Sequence, residues 1–231
     1  MHLLRIYDRN KRKGAYKKMT IFRIVSFAFF AINSVLHLFW KKHGSLTKSL
    51  ILPSIMLCYF SIAETISPVW VIAAIASWLG DVFLIKPGVK WFTAGGLFFM
   101  LSHMVYGLSY IPKIDFSSLN FILVAVISVI YCAAAAITIF LIRKSAPEKM
   151  APLLYIYLLT NAFMNILALM TMLSSLNPFG ILIYIGAVLF FISDNFLFIE
   201  CFHEKKPNYF RTVMSTYITG EFLIALGSAL L

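Results

Sequence analysis

The sequence predicts an all-α, polytopic membrane protein, and its composition and the lengths of its apolar runs support that prediction. Hydrophobic residues make up 61% of the 231 residues, whereas soluble domains contain about 45–50%. Charged residues amount to 13%, which is about half the usual share. These values exclude an ordinary soluble domain and a disordered chain. The three cysteines each stand in an apolar run, which argues against a disulfide-stabilised scaffold.

Eight apolar runs are candidate membrane helices, since a bilayer core needs about 20 apolar residues per helix. They cover about residues 21–40, 49–63, 69–85, 91–111, 118–142, 150–173, 179–202 and 209–231, and the second run is the shortest. Strands are excluded because an open strand cannot satisfy its backbone in lipid and the runs lack the alternation of a barrel. We expect a basic tail over residues 1–18, followed by one transmembrane domain over residues 19–231.

Basic residues dominate the loops, and the net charge is +11. Because they lie between apolar runs, they indicate membrane lipids as partners rather than nucleic acid. The loops after runs one, three, five and seven hold Lys41, Lys42, Lys48, Lys86, Lys90, Arg143, Lys144, Lys149, Lys205, Lys206 and Arg211, against Lys113 after runs two, four and six. The positive-inside rule places the first set in the cytoplasm. With eight spans both termini then face outward, which conflicts with the basic tail and leaves the orientation open.

A short motif occurs twice and suggests an internal repeat. Gly80-Asp81-Val82-Phe83-Leu84 in the third run resembles Ser193-Asp194-Asn195-Phe196-Leu197 in the seventh. The simplest explanation is a duplicated four-helix unit. Because four is an even number of spans, both copies would share one orientation in the membrane.

Ionisable residues inside the apolar runs are candidates for function because they are costly in lipid. They are Asp81, His103, Asp194 and Glu221. Asp81 and Asp194 are each expected within about 7–13 Å of the same, lysine-rich membrane boundary, given the rise per helical residue. Both aspartates therefore fall in the same half of the bilayer and are expected to line one cavity.

Two carboxylates in an apolar cavity resist ionising together, so one can act as general acid while the other acts as base. Helix bridging and proton relay are alternative roles for such aspartates. A packing role is also open for His103, and Glu221 is a third catalytic carboxyl, a substrate contact or a helix contact. His37 and His43 flank the first loop and are interpreted as interface residues. The polar residues Asn161, Asn165 and Asn195 more often join helices than bind ligand.

Several motifs together resemble the YhhN-like lysoplasmalogenases. The matching stretches are Ser77-Trp78-Leu79-Gly80-Asp81-Val82-Phe83-Leu84, Gly95-Gly96-Leu97-Phe98-Phe99, Ser102-His103-Met104-Val105-Tyr106, Gly186 to Asp194 and Tyr217 to Ile224. The resemblance implies about eight membrane helices and hydrolysis of the vinyl-ether bond of lysoplasmalogens. The products would be a fatty aldehyde and glycerophosphoethanolamine or glycerophosphocholine.

The resemblance also assigns roles to individual residues. It implies that Asp81 and Asp194 form the catalytic pair, with His103 and Tyr106 nearby. As polar or ionisable residues in the apolar runs, Ser193, Tyr217 and Glu221 are further candidates for supporting or substrate-binding roles. No metal or organic cofactor is implied. The basic residues Lys86, Lys90 and Lys206 are candidates for the phosphate of the lysophospholipid substrate.

The chain departs from the family pattern at two places. The family usually has a Lys-Pro pair in the second span, where this chain has Leu52-Pro53. The last motif usually contains Ala-Gln at the place where this chain has Gly220-Glu221. The first change removes a candidate contact to phosphate or carboxylate, and the second adds a carboxyl group.

Other membrane functions remain open from the residues alone. An intramembrane aspartyl protease is disfavoured, because the Gly-x-Gly-Asp and Tyr-Asp signatures are absent. A proton-coupled transporter is the main alternative, since membrane carboxylates and a repeat suit it. A lipid-binding bundle without chemistry is the third. In any of these roles, an integral multi-pass protein would reside in the plasma membrane of a bacterium or the endoplasmic reticulum membrane of a eukaryote.

Overall fold

The computed structural model describes residues 2–40 and 44–231, with side chains from residue 18 onward. Its helices are α1 (His2–Phe39), α2 (Gly44–Ile62), α3 (Pro68–Leu84), α4 (Val89–Tyr110), α5 (Phe121–Ile142), α6 (Ala151–Ser175), α7 (Pro178–Phe202) and α8 (Tyr209–Leu230). Two short 3-10 turns, Ile111–Lys113 and Phe116–Ser118, lie between α4 and α5. All regular structure in the described part of the chain is helical, so the predicted all-α fold class is confirmed.

Seven described helices are long and apolar enough to cross a membrane. These properties support a multi-pass membrane protein. The second apolar run forms a helix longer than the run itself, because α2 begins at Gly44 and has 19 residues, whereas α3 has 17. The apolar run in the sequence begins after the charged Lys48, whereas the helix includes Lys48. The lysine is accepted in the helix because its ammonium has a buried acidic partner, Asp81.

The first helix includes much of the predicted basic tail. It extends continuously from His2 to Phe39, and its apolar part covers Lys18–Phe39. The tail side chains before residue 18, together with Lys41, Lys42 and His43, lie outside the described residues. The predicted membrane orientation, which depends on those charges, therefore stays a prediction.

Polar residues cap the beginnings of three helices. Ser67, Asn120 and Asn177 each accept a hydrogen bond from the backbone N–H three residues later. Pro68 and Pro178 follow two of these caps in the first helical turn, where their missing N–H costs no helical hydrogen bond. The caps fix the beginnings of α3, α5 and α7.

Several helix contacts follow the predicted duplication of a four-helix unit. Helix α3 packs against α4, and α7 packs against α8. Across the two halves, α4 packs against α6, and α8 packs against α2. Exchanging the halves turns one of these cross contacts into the other. This exchange places α3 and α7, which carry the repeated aspartate motif, in equivalent positions.

Candidate functional site

Asp81 and Asp194 are both buried inside the helix bundle, with relative exposures of 1% and 4%. Asp81 lies near the end of α3, and Asp194 lies in the last third of α7. A buried carboxyl group requires partners, because leaving it without them in an apolar interior is costly. The partners of each aspartate therefore define its chemistry.

Asp81 has contacts to both of its carboxylate oxygens. The Tyr217 hydroxyl donates a hydrogen bond to Oδ2 over 2.6 Å. The Lys48 ammonium lies 3.7 Å from Oδ1. Both oxygens of Asp81 therefore act as acceptors, which is the arrangement that suits an ionised carboxylate.

The described partners of Asp194 all converge on one oxygen. The Tyr157 hydroxyl donates to Oδ2 over 2.8 Å, and the Asn161 side-chain amide donates to the same atom over 2.6 Å. The Nε2 atom of His103 lies 3.4 Å from Oδ2 as well. This arrangement leaves Oδ1 available to carry a proton, while Oδ2 acts as the accepting oxygen of a carboxylic acid.

The two aspartates are contacted from equivalent pairs of helices, but the contacting side chains differ in type and in charge. Asp81 is contacted from α2 and α8, and Asp194 from α6 and α4. Lys48 and Asn161 each lie 33 residues before the aspartate that they contact. The duplicated positions therefore combine a cation with one carboxyl group and a neutral amide with the other.

Aromatic rings connect the two carboxyl groups. The Tyr217 ring lies 5.4 Å from the Phe190 ring, and the Phe190 ring lies 4.7 Å from the His103 imidazole. Tyr217 bonds to Asp81, and His103 approaches Asp194. The two aspartates thus belong to one buried cluster through these rings, although their immediate partners differ.

A third carboxyl group, Glu221, belongs to the same cluster. It is fully buried in α8, and its Oε2 accepts a hydrogen bond from the Tyr106 hydroxyl over 3.0 Å. Its other oxygen, Oε1, is buried without a hydrogen-bond partner in the described structure. Glu221 therefore joins α4 and α8 through its hydrogen bond with Tyr106.

Two substitutions of Glu221 test whether its hydrogen bond with Tyr106 stabilises the protein. We expect Glu221→Leu to destabilise the protein by about 1–3 kcal/mol, because the buried Tyr106 hydroxyl loses its acceptor. Glu221→Gln keeps an oxygen at this place and should melt close to the parent. Thermal unfolding of the purified proteins in detergent measures both. Equal melting of the two variants would contradict a structural role for the hydrogen bond.

Other predicted site residues have contacts of their own. The Ser193 hydroxyl donates to the Val213 carbonyl over 2.9 Å and so joins α7 to α8. The ammonium groups of Lys86 and Lys90 lie 4.2 and 5.9 Å from the Trp91 ring centre. Lys206 is exposed and pairs with Glu204 over 3.1 Å, and this hydrogen bond raises the pKa of the Lys206 ammonium.

Three residues that contact the aspartates are not predicted as site residues from the sequence: Tyr157, Asn161 and Lys48. Asn161 is interpreted there as a residue that joins helices. Tyr157 and Asn161 lie one turn apart on α6, a spacing that puts both on one face. Lys48 lies one helical turn before Leu52, the position at which the family usually has lysine. Its contact with Asp81 places a lysine beside that carboxyl group from one turn before Leu52.

Cavities approach each half of the cluster. A cavity of about 570 Å³ reaches Lys48, the partner of Asp81. A much smaller apolar crevice, of about 20 Å³, reaches Tyr157 and Phe99, and its size suits a single water molecule. Among the side chains that the structure describes, those of residues 18–40 and 44–231, no group of three or more His, Cys, Asp or Glu residues is arranged to hold a metal ion.

Comparison with known proteins identifies the family. The model of the YhhN family matches residues 43–228. That range includes α2 to α7 and nearly all of α8, and with them both aspartates and every partner described above. Searches of curated proteins and of solved structures return no match. Since the matched range covers most of the sequence, the chain belongs to the YhhN family.

Proposed function

We propose that this protein is a membrane-embedded hydrolase that cleaves the vinyl-ether bond of lysoplasmalogens. The products are a fatty aldehyde and glycerophosphoethanolamine or glycerophosphocholine. One observation carries the proposal: the two buried aspartates occupy equivalent positions but differ in their partners. Asp81 lies beside the Lys48 ammonium, whereas the hydrogen-bond donors of Asp194 are neutral and converge on Oδ2. Membership of the YhhN family and the resemblance to its lysoplasmalogenases support the choice of substrate.

The partners assign a different role to each aspartate. Asp81 is the carboxylate, because its ion pair with Lys48 requires a negative charge. Asp194 is the general acid, since its donors converge on Oδ2 and leave Oδ1 for the proton. Two carboxyl groups with separate acid and base roles also carry out glycoside hydrolysis, which passes through an oxocarbenium-like state.

The reaction then follows in three balanced steps. Asp194 donates a proton to the outer vinyl carbon, and the electron pair of the double bond forms the new C–H bond. The resulting oxocarbenium ion is stabilised by the Asp81 carboxylate and by the faces of Phe190 and Tyr217. Water adds to the cationic carbon and loses a proton to the Asp81 carboxylate. The hemiacetal C–O bond then breaks, Asp81 gives that proton to the leaving glycerol oxygen, and the hemiacetal O–H proton passes to Asp194, so the aldehyde forms and both carboxyl groups return to their starting states.

A lipid substrate is compatible with a site that lies among membrane helices. A lysophospholipid dissolves in the same bilayer that the helices would cross, so its vinyl-ether group reaches the site at membrane depth. The proposed partners are thus this lipid substrate and the surrounding membrane lipids. The proposed location is the plasma membrane in a bacterium or the endoplasmic reticulum membrane in a eukaryote.

Release of fatty aldehyde by the purified protein tests the function. We expect turnover of a lysoplasmalogen but none of its saturated-ether analogue, which has no double bond to protonate, or of an ester lysophospholipid. In D₂O the aldehyde should gain one deuterium on the carbon next to the carbonyl, because the general acid exchanges with solvent. An inactive parent protein would contradict the proposal and favour the proton-coupled transporter. Proton uptake by reconstituted vesicles would measure that alternative.

A further inference from the structure

The partners of the two aspartates lie beside spaces of very different size. One, the Lys48 cavity, has about 570 Å³ and reaches the partner of Asp81. The other, the Tyr157 crevice, has about 20 Å³ and reaches a partner of Asp194. A water molecule in the liquid occupies about 30 Å³, so the cavity can hold many waters and the crevice no more than one. The two halves of the site therefore differ in their access to water.

Equivalent residues line the two spaces. Leu84 and Ile85 line the Lys48 cavity, and Leu197 and Phe198 line the Tyr157 crevice. Each pair stands three and four residues after the aspartate of its own half. Leu84 lines the crevice as well, so this apolar side chain stands between the two spaces. The cavity and the crevice are thus corresponding spaces in the two halves, open in one and nearly filled in the other.

One pair of equivalent residues explains the difference in volume. Gly44 stands 37 residues before Asp81, and Tyr157 stands 37 residues before Asp194. Gly44 lines the Lys48 cavity without a side chain, and a Cβ atom there would meet nothing within 4 Å. The Tyr157 side chain fills the corresponding place and donates its hydrogen bond to Asp194. A glycine therefore leaves the first space open, and a tyrosine closes the second.

The Lys48 cavity begins where the bundle meets water. It lies between the end of α1, the start of α2, the end of α3 and the start of α8. Ser45 and Phe210, which line it, are exposed. The Lys48 side chain is 19% exposed, whereas Asn161, its equivalent in the second half, is fully buried. Water therefore reaches the partner of Asp81 but not the equivalent residue beside Asp194.

Contacts between α1 and α2 hold one wall of the Lys48 cavity in place. His37 lines the cavity but is only 3% exposed, so the prediction of an interface residue is wrong. Its Nδ1 lies 2.9 Å from the Thr47 hydroxyl. The Asn33 side-chain amide donates to the Thr47 carbonyl over 3.0 Å. These contacts fix the end of α1 against the start of α2 and so keep the wall beside Gly44 in place.

Lys48 connects the water in the cavity to the carboxylate. Its ammonium lies 3.7 Å from Asp81 Oδ1 and also lines the cavity. An ammonium has three N–H donors, so donors that do not point at the carboxylate can bind water. A water held by this ammonium lies next to Asp81, the group to which the proposed mechanism gives the proton of the attacking water.

We propose that the Lys48 cavity is the entry route for water and that it leads to Asp81 and not to Asp194. Hydrolysis consumes one water for each vinyl ether, and that water must arrive at the carboxylate that takes its proton. Surroundings without water suit the other aspartate, because exclusion of water prevents an acid from losing its proton to solvent. The use of this water as the nucleophile rests on the proposed function, whereas the route itself does not.

The reactivity of introduced thiols in the full-length protein in detergent tests the route without turnover. Cys132 and Cys201 are exposed and are first replaced by serine, whereas Cys58 is buried and stays. We expect a sulfonated, water-soluble methanethiosulfonate to modify Asp81→Cys at least about tenfold faster than Asp194→Cys, because only the thiolate reacts and a thiol away from water keeps its proton. The background protein without an introduced thiol gives the rate to be subtracted.

A second pair of equivalent positions controls for the ammonium beside Asp81. Lys48→Cys removes that ammonium and should still react at least about tenfold faster than Asn161→Cys. Similar rates in the two halves would overturn the proposal. Slow reaction of both Asp81→Cys and Lys48→Cys would overturn it as well, because a cavity of about 570 Å³ that is open to water admits the reagent.

Gly44→Tyr gives the first half the side chain that closes the second. Combined with Lys48→Cys, it should abolish modification of the introduced thiol. Gly44→Ala is the matched control and should leave the rate unchanged, because a Cβ atom at this position meets nothing within 4 Å. Thermal unfolding shows that both combinations are folded. Undiminished modification in the folded Gly44→Tyr protein would show that water enters elsewhere and would overturn the route.

Aldehyde release separates the route from the function. The expected thiol reactivities with no aldehyde release by the parent would leave the route standing and contradict the hydrolase. Aldehyde release with unreactive thiols would do the opposite. If both hold, Gly44→Tyr alone should lower kcat and leave the KM of the lipid unchanged, because it blocks water and not the lipid. An unchanged kcat in a protein whose thiols are blocked would overturn the assignment of this water as the nucleophile.

Discussion

Asp194→Asn is expected to lower aldehyde release about a hundred- to ten-thousandfold, the usual contribution of general acid–base catalysis. Asparagine keeps an oxygen that accepts from Tyr157 and Asn161, so the packing of α6 against α7 should survive. It has no acidic proton to transfer to the vinyl carbon. The measurement is the initial rate of aldehyde formation by protein that melts like the parent. Turnover within threefold of the parent would contradict the assignment of Asp194 as the acid.

Asp81→Asn should lose activity to a similar degree but for a different reason, and thermal unfolding separates the two cases. Removing the carboxylate leaves the Lys48 ammonium without its partner, so we expect destabilisation of about 1–3 kcal/mol. The double variant Asp81→Asn with Lys48→Met removes both charges and should recover the melting temperature without recovering activity. Equal melting of the Asp81→Asn and Asp194→Asn proteins would contradict the different charge environments on which the assigned roles depend.

Most of the fold can be predicted from the sequence because a membrane helix is specified by local composition. An apolar run of sufficient length must be helical in lipid, and the eight predicted runs correspond in order to α1 to α8. The beginning of α2 is harder to predict, since the apolar run starts only after Lys48, whereas the helix includes this lysine. Only the contact with Asp81, which lies 33 residues later, explains why a charge is accepted there.

The site can be predicted only in part, because pairing between distant residues leaves little local signal. Asp81, Asp194 and Glu221 stand out since each is costly in an apolar run. Tyr157 and Asn161 do not, because tyrosine and asparagine are ordinary residues at helix contacts. The repeated motif also relates residues outside the motif itself. Lys48 and Asn161 have the same spacing from the two aspartates, and the contacts show that both residues are partners of those aspartates.

Gly186→Val is expected to separate α7 from α8 and to have the largest effect on stability. A Cβ atom at Gly186 would lie 2.6 Å from the Gly220 carbonyl oxygen and 2.8 Å from the Ile224 backbone nitrogen. Backbone atoms cannot move aside as a side chain does, so the cost should exceed the about 1–3 kcal/mol of ordinary overpacking. Close approach through small residues is a common way for membrane helices to associate. Thermal unfolding in detergent, followed by size-exclusion chromatography, measures the loss.

The same substitution should also abolish activity, because these two helices carry opposite sides of the site. Helix α7 carries Phe190 and Asp194, whereas α8 carries Tyr217, the partner of Asp81. Gly96→Ala is the control for stability, since a Cβ atom there meets nothing within 4 Å, and it should melt close to the parent. Gly186→Ala should fall between the parent and Gly186→Val. A Gly186→Val protein that melts with the parent would show that α7 and α8 are not in the close contact on which the geometry of the aspartate cluster depends.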